Sequence, residues 1–360
     1  MVDKELSKQG FAKYHSIKVA RQLLRVYAKS LFNEKKTFEK RKVKTILFIQ
    51  RYGIGDYLMS TPAINAIAKD FPKARIILLC KGASNLIAKL NPTVDKVILD
   101  LAELKEPIDL VVSLNDSVEG TMLAKRSGAK YAIGFLNGKN VKANFKIKKM
   151  NGKYNLIENY LQIAHALGTK LGKKEFLINI RKEKKVDALL KKHKLSKFVF
   201  LNPNTRDGAE AKNWGNKNYA QLAEQILAKG YKIVFCGVKG EGDAKKTIGL
   251  IHNNKSEIVD LTGELSLNET TYLISKATAY IGNDTGLMHI AIASNIPTIG
   301  LFGPTDSKRL FLNGKKRFAF QVKNKAWPCY LKGTFDIHAN QKYMNQIKVN
   351  NVFEKFLEIV

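Results

Sequence analysis

Short apolar runs alternate with segments of helical periodicity from residue 45 onward. The runs have the length of buried strands, and the segments between them are long enough for helices. This alternation predicts βαβ units, and therefore a parallel sheet with helices on both faces. In the first series, strands are expected at 45–50, 75–80, 95–99, 109–114 and 130–134, and helices near 57–69, 83–90, 117–126 and 155–167.

A polar, lysine-rich stretch over 168–197 interrupts the pattern and predicts a linker with a surface helix. In the second series that follows, strands are expected near 198–202, 231–236, 257–259, 278–282 and 297–301, and helices near 218–229, 242–252, 268–276 and 285–294. The fold class is therefore predicted as α/β, with two Rossmann-like doubly wound domains facing a central cleft. The expected division is an N-terminal arm over 1–44, a first domain over 45–180, a second domain over 181–342 and a last helix over 343–360.

The arm over 1–44 differs from the rest of the chain because it is rich in lysine and arginine. Apolar side chains recur at helical spacing between Ile17 and Leu31, while basic side chains mark another face. Such a helix can lie in the headgroup layer of an anionic membrane. The same pattern also fits a helix that packs on the neighbouring domain, and both interpretations stay open.

Composition narrows the class of protein. The chain has 360 residues, of which 45% are hydrophobic, so each of two domains can bury a core. Cys80, Cys236 and Cys329 are far apart, which argues against a disulfide framework or a zinc site and favours a reducing cytoplasm. Since we find neither an apolar leader nor 18 successive apolar residues, we expect no cleaved secretion signal and no membrane-spanning helix.

The formal net charge is +31, from 62 lysines and arginines against 31 acidic residues. Such an excess attracts polyanions, which include nucleic acids, anionic lipids and phosphorylated glycans. The lysines are spread over the whole length, without a basic block or an aromatic RNA-binding motif, so the pattern favours a membrane surface over a module that reads bases. A lysine-rich proteome would account for part of the same excess.

The most informative polar loop is the segment 283–286, which joins a predicted strand to the predicted helix 285–294. Cap residues and a glycine open this helix, so its free N–H groups and its dipole predict a phosphate-binding site. Asp284, Thr285 and His289 are expected around that site. An ordinary capped helix with a satisfied, half-buried histidine would show the same spacing.

The loop Arg51-Tyr-Gly-Ile-Gly-Asp56 follows the first predicted strand. Gly53 and Gly55 would let the backbone approach a ligand closely. Leu58 stands where a dinucleotide fingerprint has its third small residue, which weakens an assignment to NAD. Asp56, at the start of the next helix, is either an N-cap or a general base that faces the cleft.

Two further loops carry side chains suited to a nucleotide. The long loop after the first strand of the second series presents Thr205, Arg206 and Lys212. The arginine and the lysine are cations that would neutralise phosphate oxygens. The glycine-rich loop after the next strand carries Glu241, an acceptor for a ribose hydroxyl. We find no HExxH motif, Cys/His cluster or Asp-x-Asp pair at strand ends, so we expect no metal site, and protein cations and helix dipoles would stabilise a departing phosphate.

These segments together resemble glycosyltransferase family 9, the ADP-heptose:lipopolysaccharide heptosyltransferases. The matching pieces occur in family order over about residues 45–310: Ile46 to Ala63, Asn202-Pro-Asn204, Lys212-Asn-Trp214, Gly237 to Glu241, Leu261-Thr-Gly263 with Leu267, and Asn283 to His289 with Phe302-Gly-Pro-Thr305. The resemblance implies the GT-B fold, a nucleotide-sugar donor bound mainly by the second domain and an acceptor met by the first. It also implies transfer with inversion, without a metal or another cofactor.

The resemblance also assigns roles to matching positions. Asp56 corresponds to the general base that takes the proton from the acceptor hydroxyl, Lys212 to the cation on the donor phosphates, and Glu241 to the residue that holds the ribose. The other donor-binding positions are Asp284, Thr285, Gly286, His289, Thr205 and Arg206, and the loop toward the acceptor contributes Gly53, Gly55 and Arg51.

Two positions depart from the family pattern. Residues 208–211 lengthen the loop before Lys212, and Gly215 stands where many members have proline. The segment 343–360 has the apolar spacing of the family's last helix, which we expect to cross back to the first domain.

The function implied by the resemblance is transfer of a heptose or related sugar, most commonly from ADP-heptose, to the inner core of lipopolysaccharide or lipooligosaccharide. The protein would be cytoplasmic and peripheral at the inner membrane, with the donor, a lipid A–core acceptor and the anionic membrane as partners and no nucleic acid. Two alternatives stay open. One is a GT-B transferase or epimerase with another donor sugar, and the other is a non-catalytic basic protein that binds lipid or nucleic acid. An epimerase needs no acceptor, and the basic protein would bind with a steep salt dependence and without nucleotide sugar.

Overall fold

The computed structural model describes residues 38–135, 154–205, 209–238, 242–322, 330–331, 334–335 and 341–360. Most of the predicted arm, together with Arg206 and Glu241, lies outside the described residues. The chain divides into two compact units. The first comprises Met1–Tyr52, Ser60–Asn151 and Ile157–Lys174, and the second comprises Gly53–Met59, Gly152–Leu156 and Glu175–Val360.

The first unit contains a five-stranded sheet in which all neighbouring strands are parallel. Its strands are β1 Thr45–Ile49, β2 Arg75–Leu79, β3 Lys96–Ile98, β4 Leu110–Ser113 and β5 Tyr131–Gly134, in the order β3-β2-β1-β4-β5. The helices of this part of the chain are α1 Ile54–Asp70, α2 Ser84–Ala88, α3 Val118–Arg126 and α4 Leu156–Ala166. Each element predicted in the first series is present. β1 reads as an unbroken apolar run because it is the central strand and is buried on both faces.

The second unit contains a six-stranded parallel sheet, which confirms the second predicted series. Its strands are β6 Phe198–Asn202, β7 Lys232–Phe235, β8 Ile258–Asp260, β9 Ala279–Asn283, β10 Thr298–Phe302 and β11 Arg317–Gln321, in the order β11-β10-β9-β6-β7-β8. The helices are α5 Lys184–Lys192, α6 Asn216–Leu227, α7 Asp243–Gly249, α8 Leu267–Lys276, α9 Gly286–Ala293, α10 Ser307–Leu310 and α11 Val349–Ile359. Two short antiparallel strands, β12 Tyr330–Leu331 and β13 Thr334–Phe335, pair separately.

Strand β11 was not predicted. It lies at the edge of its sheet and its side chains are only partly buried, so its sequence lacks the continuous apolar run of the central strands. Its polar residue Gln321 nevertheless has a structural role, which is described below.

The order of strands determines which loops meet within each unit. Successive strands are added to one side of β1 and then, from β4 on, to its other side, and in the second sheet the same switch occurs between β6 and β9, although all of these strands are parallel. The register pairs Asn202 at the end of β6 with Gly282 in β9, so the loops that follow these strands begin at the same level. Ligands of doubly wound sheets bind at such switch points, which brings the loops before Lys212 and around Asp284 to the expected place.

Two of the predicted boundaries lie elsewhere in the structure. Residues 38–44, which were predicted as the end of the arm, belong to the first unit. Phe38 makes an edge contact with Tyr131 of this unit at a centroid distance of 5.0 Å. The main segment of the second unit begins at Glu175, earlier than the predicted 181, and the short segments Gly53–Met59 and Gly152–Leu156, which were predicted for the first domain, also group with this unit. The last helix, α11, packs on α6 and buries Val352 and Phe356 in the core of the second unit, and its crossing to the first domain stays a prediction.

Among the described helices, none combines the length and the apolar character that a membrane crossing requires.

Candidate active site

The starts of helices α1 and α9 pack against each other within the second unit. Residues 53–59, the first turns of α1, group with that unit. A Cβ added to Gly286 would lie 3.1 Å from the Cβ of Ile54, and one added to Gly55 would lie 2.5 Å from Cδ2 of His289. The lack of a side chain at Gly55 therefore leaves room for the imidazole ring of His289.

Asp56 lies in the first turn of α1, and backbone N–H groups, including that of Gly53, donate to its carboxylate. Burial and the charge of Asp284 raise the pKa of Asp56 to about 6, although Lys212 and the N–H groups oppose the shift. Asp56 thus has the backbone contacts of a helix cap and the raised pKa of a carboxylate suited to accept a proton near neutrality. The role of Asp56 as a general base stays a prediction, with a helix cap as the alternative.

Asp284 follows β9 directly and is 6% exposed. Lys212, from the loop before α6, donates from Nζ to Oδ2 of Asp284 over 2.6 Å and to its backbone oxygen over 3.2 Å. The Thr305 hydroxyl donates to the same Oδ2 over 2.9 Å. Burial alone would raise the pKa of Asp284, but Lys212, His289 and the hydrogen bonds lower it below the ordinary value, so the carboxylate is ionised. Thr305 was part of the quoted motif but was not predicted as a site residue.

His289 is buried against the same carboxylate. Its Nε2 lies 3.9 Å from Oδ1 of Asp284, and its Nδ1 is buried with no hydrogen-bond partner among the described residues. Burial lowers the pKa of His289 to about 4, against the opposing effect of Asp284, so the ring is neutral at neutral pH. The alternative of a satisfied, half-buried histidine is therefore wrong.

Asn283 links the loops around this cluster. Its Oδ1 accepts the backbone N–H of Trp214 over 3.2 Å and the Tyr219 hydroxyl over 3.0 Å, and its Nδ2 donates to the Pro203 carbonyl over 3.0 Å. Trp214 is fully buried and donates from Nε1 to the Ile347 carbonyl, so it anchors the loop that carries Lys212. Asn283 is a structural residue of the site that the sequence showed only as a helix-opening asparagine.

Thr285 is the N-cap residue of α9, but its side chain does not cap the helix. Its Oγ1 instead accepts a hydrogen bond from Nδ2 of Asn202 over 3.0 Å. Thr285 therefore leaves the first N–H groups of α9 without a side-chain cap. A phosphate-binding site at the start of this helix, which the sequence predicts, would use these N–H groups. Thr205 is half-buried after β6, at the same switch point. The roles predicted for Arg206 and Glu241 fall outside the described residues.

Gly215, the departure from the family's proline, has a φ of +100°. Proline is restricted to φ near −65°, so it cannot adopt this conformation, whereas glycine can. The loop before α6 thus follows a course in this chain that proline at this position would prevent.

Arg51 lies in the first unit, where its Nε donates to Oε1 of Glu119 over 2.9 Å and its backbone N–H donates to Oδ1 of Asn115 over 2.8 Å. Arg51, Glu119, Asp100 and Arg126 line a cavity of about 390 Å³ in this unit. Because the cavity lies beyond the ends of β1 and β2 and beside α3, it occupies the ligand-binding edge of the first sheet.

In the part of the chain that the structure describes, no group of three or more His, Cys, Asp or Glu side chains is arranged to hold a metal ion. Cys80 and Cys236 are both fully buried, and neither forms a disulfide bond with a described residue.

Comparison with known proteins identifies the family. The model of glycosyltransferase family 9 (heptosyltransferase) matches residues 101–335. Lipooligosaccharide heptosyltransferase 2 of Haemophilus influenzae is 26% identical over 294 residues, which cover 72% of this chain and 83% of that protein.

Two solved structures share the fold. The ADP-heptose lps heptosyltransferase II of E. coli has a TM-score of 0.69 at 18% identity, covering 88% of this chain and 98% of its own. A family 9 glycosyl transferase of Veillonella parvula has a TM-score of 0.71 at 19% identity, covering 88% and 97%. These likenesses confirm the GT-B fold, and the match to the family model, which spans more than half of the sequence, shows that the chain belongs to glycosyltransferase family 9 and is a glycosyltransferase.

Proposed function

We propose that this chain transfers a heptose from ADP-heptose to the inner core of lipopolysaccharide or lipooligosaccharide. The observation that carries the proposal is the cluster of Asp56, Lys212 and Asp284 at two packed helix starts, in a member of a heptosyltransferase family. The choice of ADP-heptose as donor is supported by the similar fold of the E. coli ADP-heptose lps heptosyltransferase II.

The donor pyrophosphate would bind between Lys212 and the uncapped N–H groups of α9. Both carry positive charge, the lysine as an ammonium and the helix start through its dipole. Asp284 would accept hydrogen bonds from the sugar hydroxyls. Thr205 and Arg206 would add phosphate or sugar contacts, and Glu241 would hold the ribose.

In the proposed reaction the acceptor hydroxyl oxygen attacks the anomeric carbon from the face opposite the pyrophosphate, which inverts the configuration. Asp56 accepts the hydroxyl proton, the bond from the anomeric carbon to the phosphate oxygen breaks, and ADP leaves with the bonding electrons. Lys212 and α9 stabilise the charge on the departing ADP, so we propose that neither a metal ion nor another cofactor is required. Undiminished transfer in excess EDTA is expected, and a loss that added divalent ions or iron restore would contradict this part of the proposal.

The first unit would receive the acceptor in the cavity lined by Arg51 and Arg126. Arg51 is engaged with Glu119, but Arg126 is an exposed guanidinium at the cavity wall, suited to a phosphate or carboxylate group of a core sugar. The net charge of +31 would draw the protein to the anionic inner-membrane surface that carries such an acceptor, which supports a cytoplasmic, peripheral location.

Arg126→Gln is expected to raise the KM for the acceptor about tenfold, because one charge-assisted hydrogen bond is lost, and to leave the KM for the donor unchanged. Steady-state kinetics with each substrate varied in turn measure both constants. Lys125→Gln is the matched control, since it removes a charge from the neighbouring residue of α3, which does not line the cavity. Equal changes in the two variants would show a general effect of charge and would exclude a specific contact.

A panel of nucleotide sugars tests the proposed donor. Ligands that bind the folded state alone raise the Tm, so ADP and ADP-heptose are expected to raise it, whereas UDP-, GDP- and CMP-sugars are not. A rise in Tm with another nucleotide sugar would show that this sugar, and not ADP-heptose, is the donor. A product formed without any acceptor would indicate an epimerase, and a salt-sensitive interaction with DNA or vesicles without any nucleotide effect would indicate a non-catalytic basic protein.

A further inference from the structure

The hydroxyl of Thr305 is the second donor to Asp284. Thr305 is 1% exposed and stands in the loop after β10, and its Oγ1 lies 2.9 Å from Oδ2 of Asp284. Lys212 donates to the same oxygen. A buried carboxylate needs such partners, because an unpaired buried charge is strongly unfavourable.

Gln321 holds the loop that carries Thr305. From the edge strand β11, its Nε2 lies within 3.5 Å of four carbonyl oxygens, those of Phe302, Gly303, Thr305 and Val322. Its Oε1 accepts the backbone N–H of Ser307 over 2.7 Å. One side chain thus bonds the backbone before and after Thr305, and these hydrogen bonds hold the segment that carries the Thr305 hydroxyl in place.

Under the proposed function, Lys212 would bind two groups, the Asp284 residue and the pyrophosphate of the donor. In the structure its ammonium makes two bonds to Asp284, one to the carboxylate and one to the backbone oxygen. In the donor complex the same ammonium would bind the pyrophosphate. Each N–H of Lys212 that turns to the phosphates no longer donates to Asp284. The Thr305 hydroxyl then remains as a hydrogen-bond donor to the Asp284 carboxylate.

We infer that Thr305, held by Gln321, is a positioning residue that keeps the Asp284 carboxylate directed at the donor sugar while Lys212 binds the phosphates. The inference rests on the proposed function, because it assumes that Asp284 contacts the sugar. It assigns to Thr305 a contribution to recognition of the sugar and none to recognition of ADP. Loss of the hydroxyl therefore weakens the binding of the nucleotide sugar and spares the binding of the nucleotide.

Isothermal titration of Thr305→Val with ADP and with ADP-heptose tests this. The affinity for ADP-heptose is expected to fall about tenfold, while that for ADP stays within about twofold of wild type. Thr305→Ser, which keeps the hydroxyl, is expected to restore the affinity for ADP-heptose. Thr298→Val is the matched control, since Thr298 is a buried threonine of β10 whose hydroxyl bonds only the nearby Ile296 carbonyl among the contacts found for it.

Gln321→Met is a second test of the role of Thr305, for the case that Thr305→Val folds poorly. It removes the amide that fixes the loop while Thr305 remains, and the affinity for ADP-heptose is expected to fall more than that for ADP. Equal losses for both ligands in either variant would show that the loop is merely structural, and unchanged binding of both would show that Thr305 has no role. A wild-type protein that binds ADP without preferring or accepting ADP-heptose would contradict the proposed function itself, and the inference with it.

Discussion

Asp56→Asn is expected to lower the rate of sugar transfer by about 10²- to 10⁴-fold while the protein becomes more stable at neutral pH. Asparagine cannot take the acceptor proton, but it keeps an amide oxygen for the backbone N–H groups that bond Asp56. Rates measured with saturating donor and acceptor, and urea unfolding at pH 7.5, give the two quantities. In the wild type, kcat/KM for transfer should fall below about pH 6, because the base must be ionised and its pKa is about 6.

The gain in stability follows from the sign of the pKa shift. The folded-state pKa of Asp56, about 6, lies above its ordinary value of 3.8, so between these pH values the folded chain binds more protons than the unfolded chain. Stability contributed by this group is complete below pH 3.8 and is lost as the pH rises to about 6. The ionised form therefore costs folding energy at pH 7.5, and its removal is expected to raise the free energy of unfolding by about 1–2 kcal/mol after the loss of helix-dipole and hydrogen-bond contributions.

Asp70→Asn makes the same change at the other end of α1. The Asp70 carboxylate accepts the Thr169 hydroxyl and pairs with Lys40, so this variant should be slightly less stable and fully active. An Asp56→Asn protein that is destabilised and retains turnover would show that Asp56 is a helix cap and not the base.

Lys212→Met is expected to destabilise the fold by about 3–5 kcal/mol and to weaken donor binding at least 100-fold. The methionine is of similar length but leaves the buried Asp284 carboxylate without its cation, with Thr305 as its remaining close donor. The same change removes the ammonium proposed for the pyrophosphate. Urea unfolding and titration calorimetry with ADP measure the two effects.

A double variant separates these effects. Lys212→Met combined with Asp284→Asn removes both charges, so most of the lost stability should return while the affinity for ADP stays low. Lys217→Met, five positions along and exposed, controls for the loss of one positive charge. If the double variant regained ADP affinity as well as stability, Lys212 would be a structural partner of Asp284 and not a phosphate ligand.

Local pattern was sufficient for most of the fold because strands and helices differ in period, and buried parallel strands read as apolar runs. β1, β6, β9 and β10 are examples. Edge strand β11 was missed for the same reason, since its side chains are half-exposed and give no such run. α1 begins at Ile54, earlier than predicted, where the Tyr57 N–H bonds the Gly53 carbonyl and the glycine-rich loop has already turned into helix.

The sequence by itself determined the two α/β series, the family resemblance and the loops in which chemistry was to be sought. Only the tertiary structure decided that Lys212 meets Asp284 across 72 residues, that Thr305 shares the same carboxylate oxygen, and that Gly55 makes room for His289. Likewise, the pKa of about 6 for Asp56 arises from burial and from a neighbouring charge far along the chain. The physical reason is that local periodicity encodes which residues are buried, whereas the contacts between distant loops depend on strand order and packing.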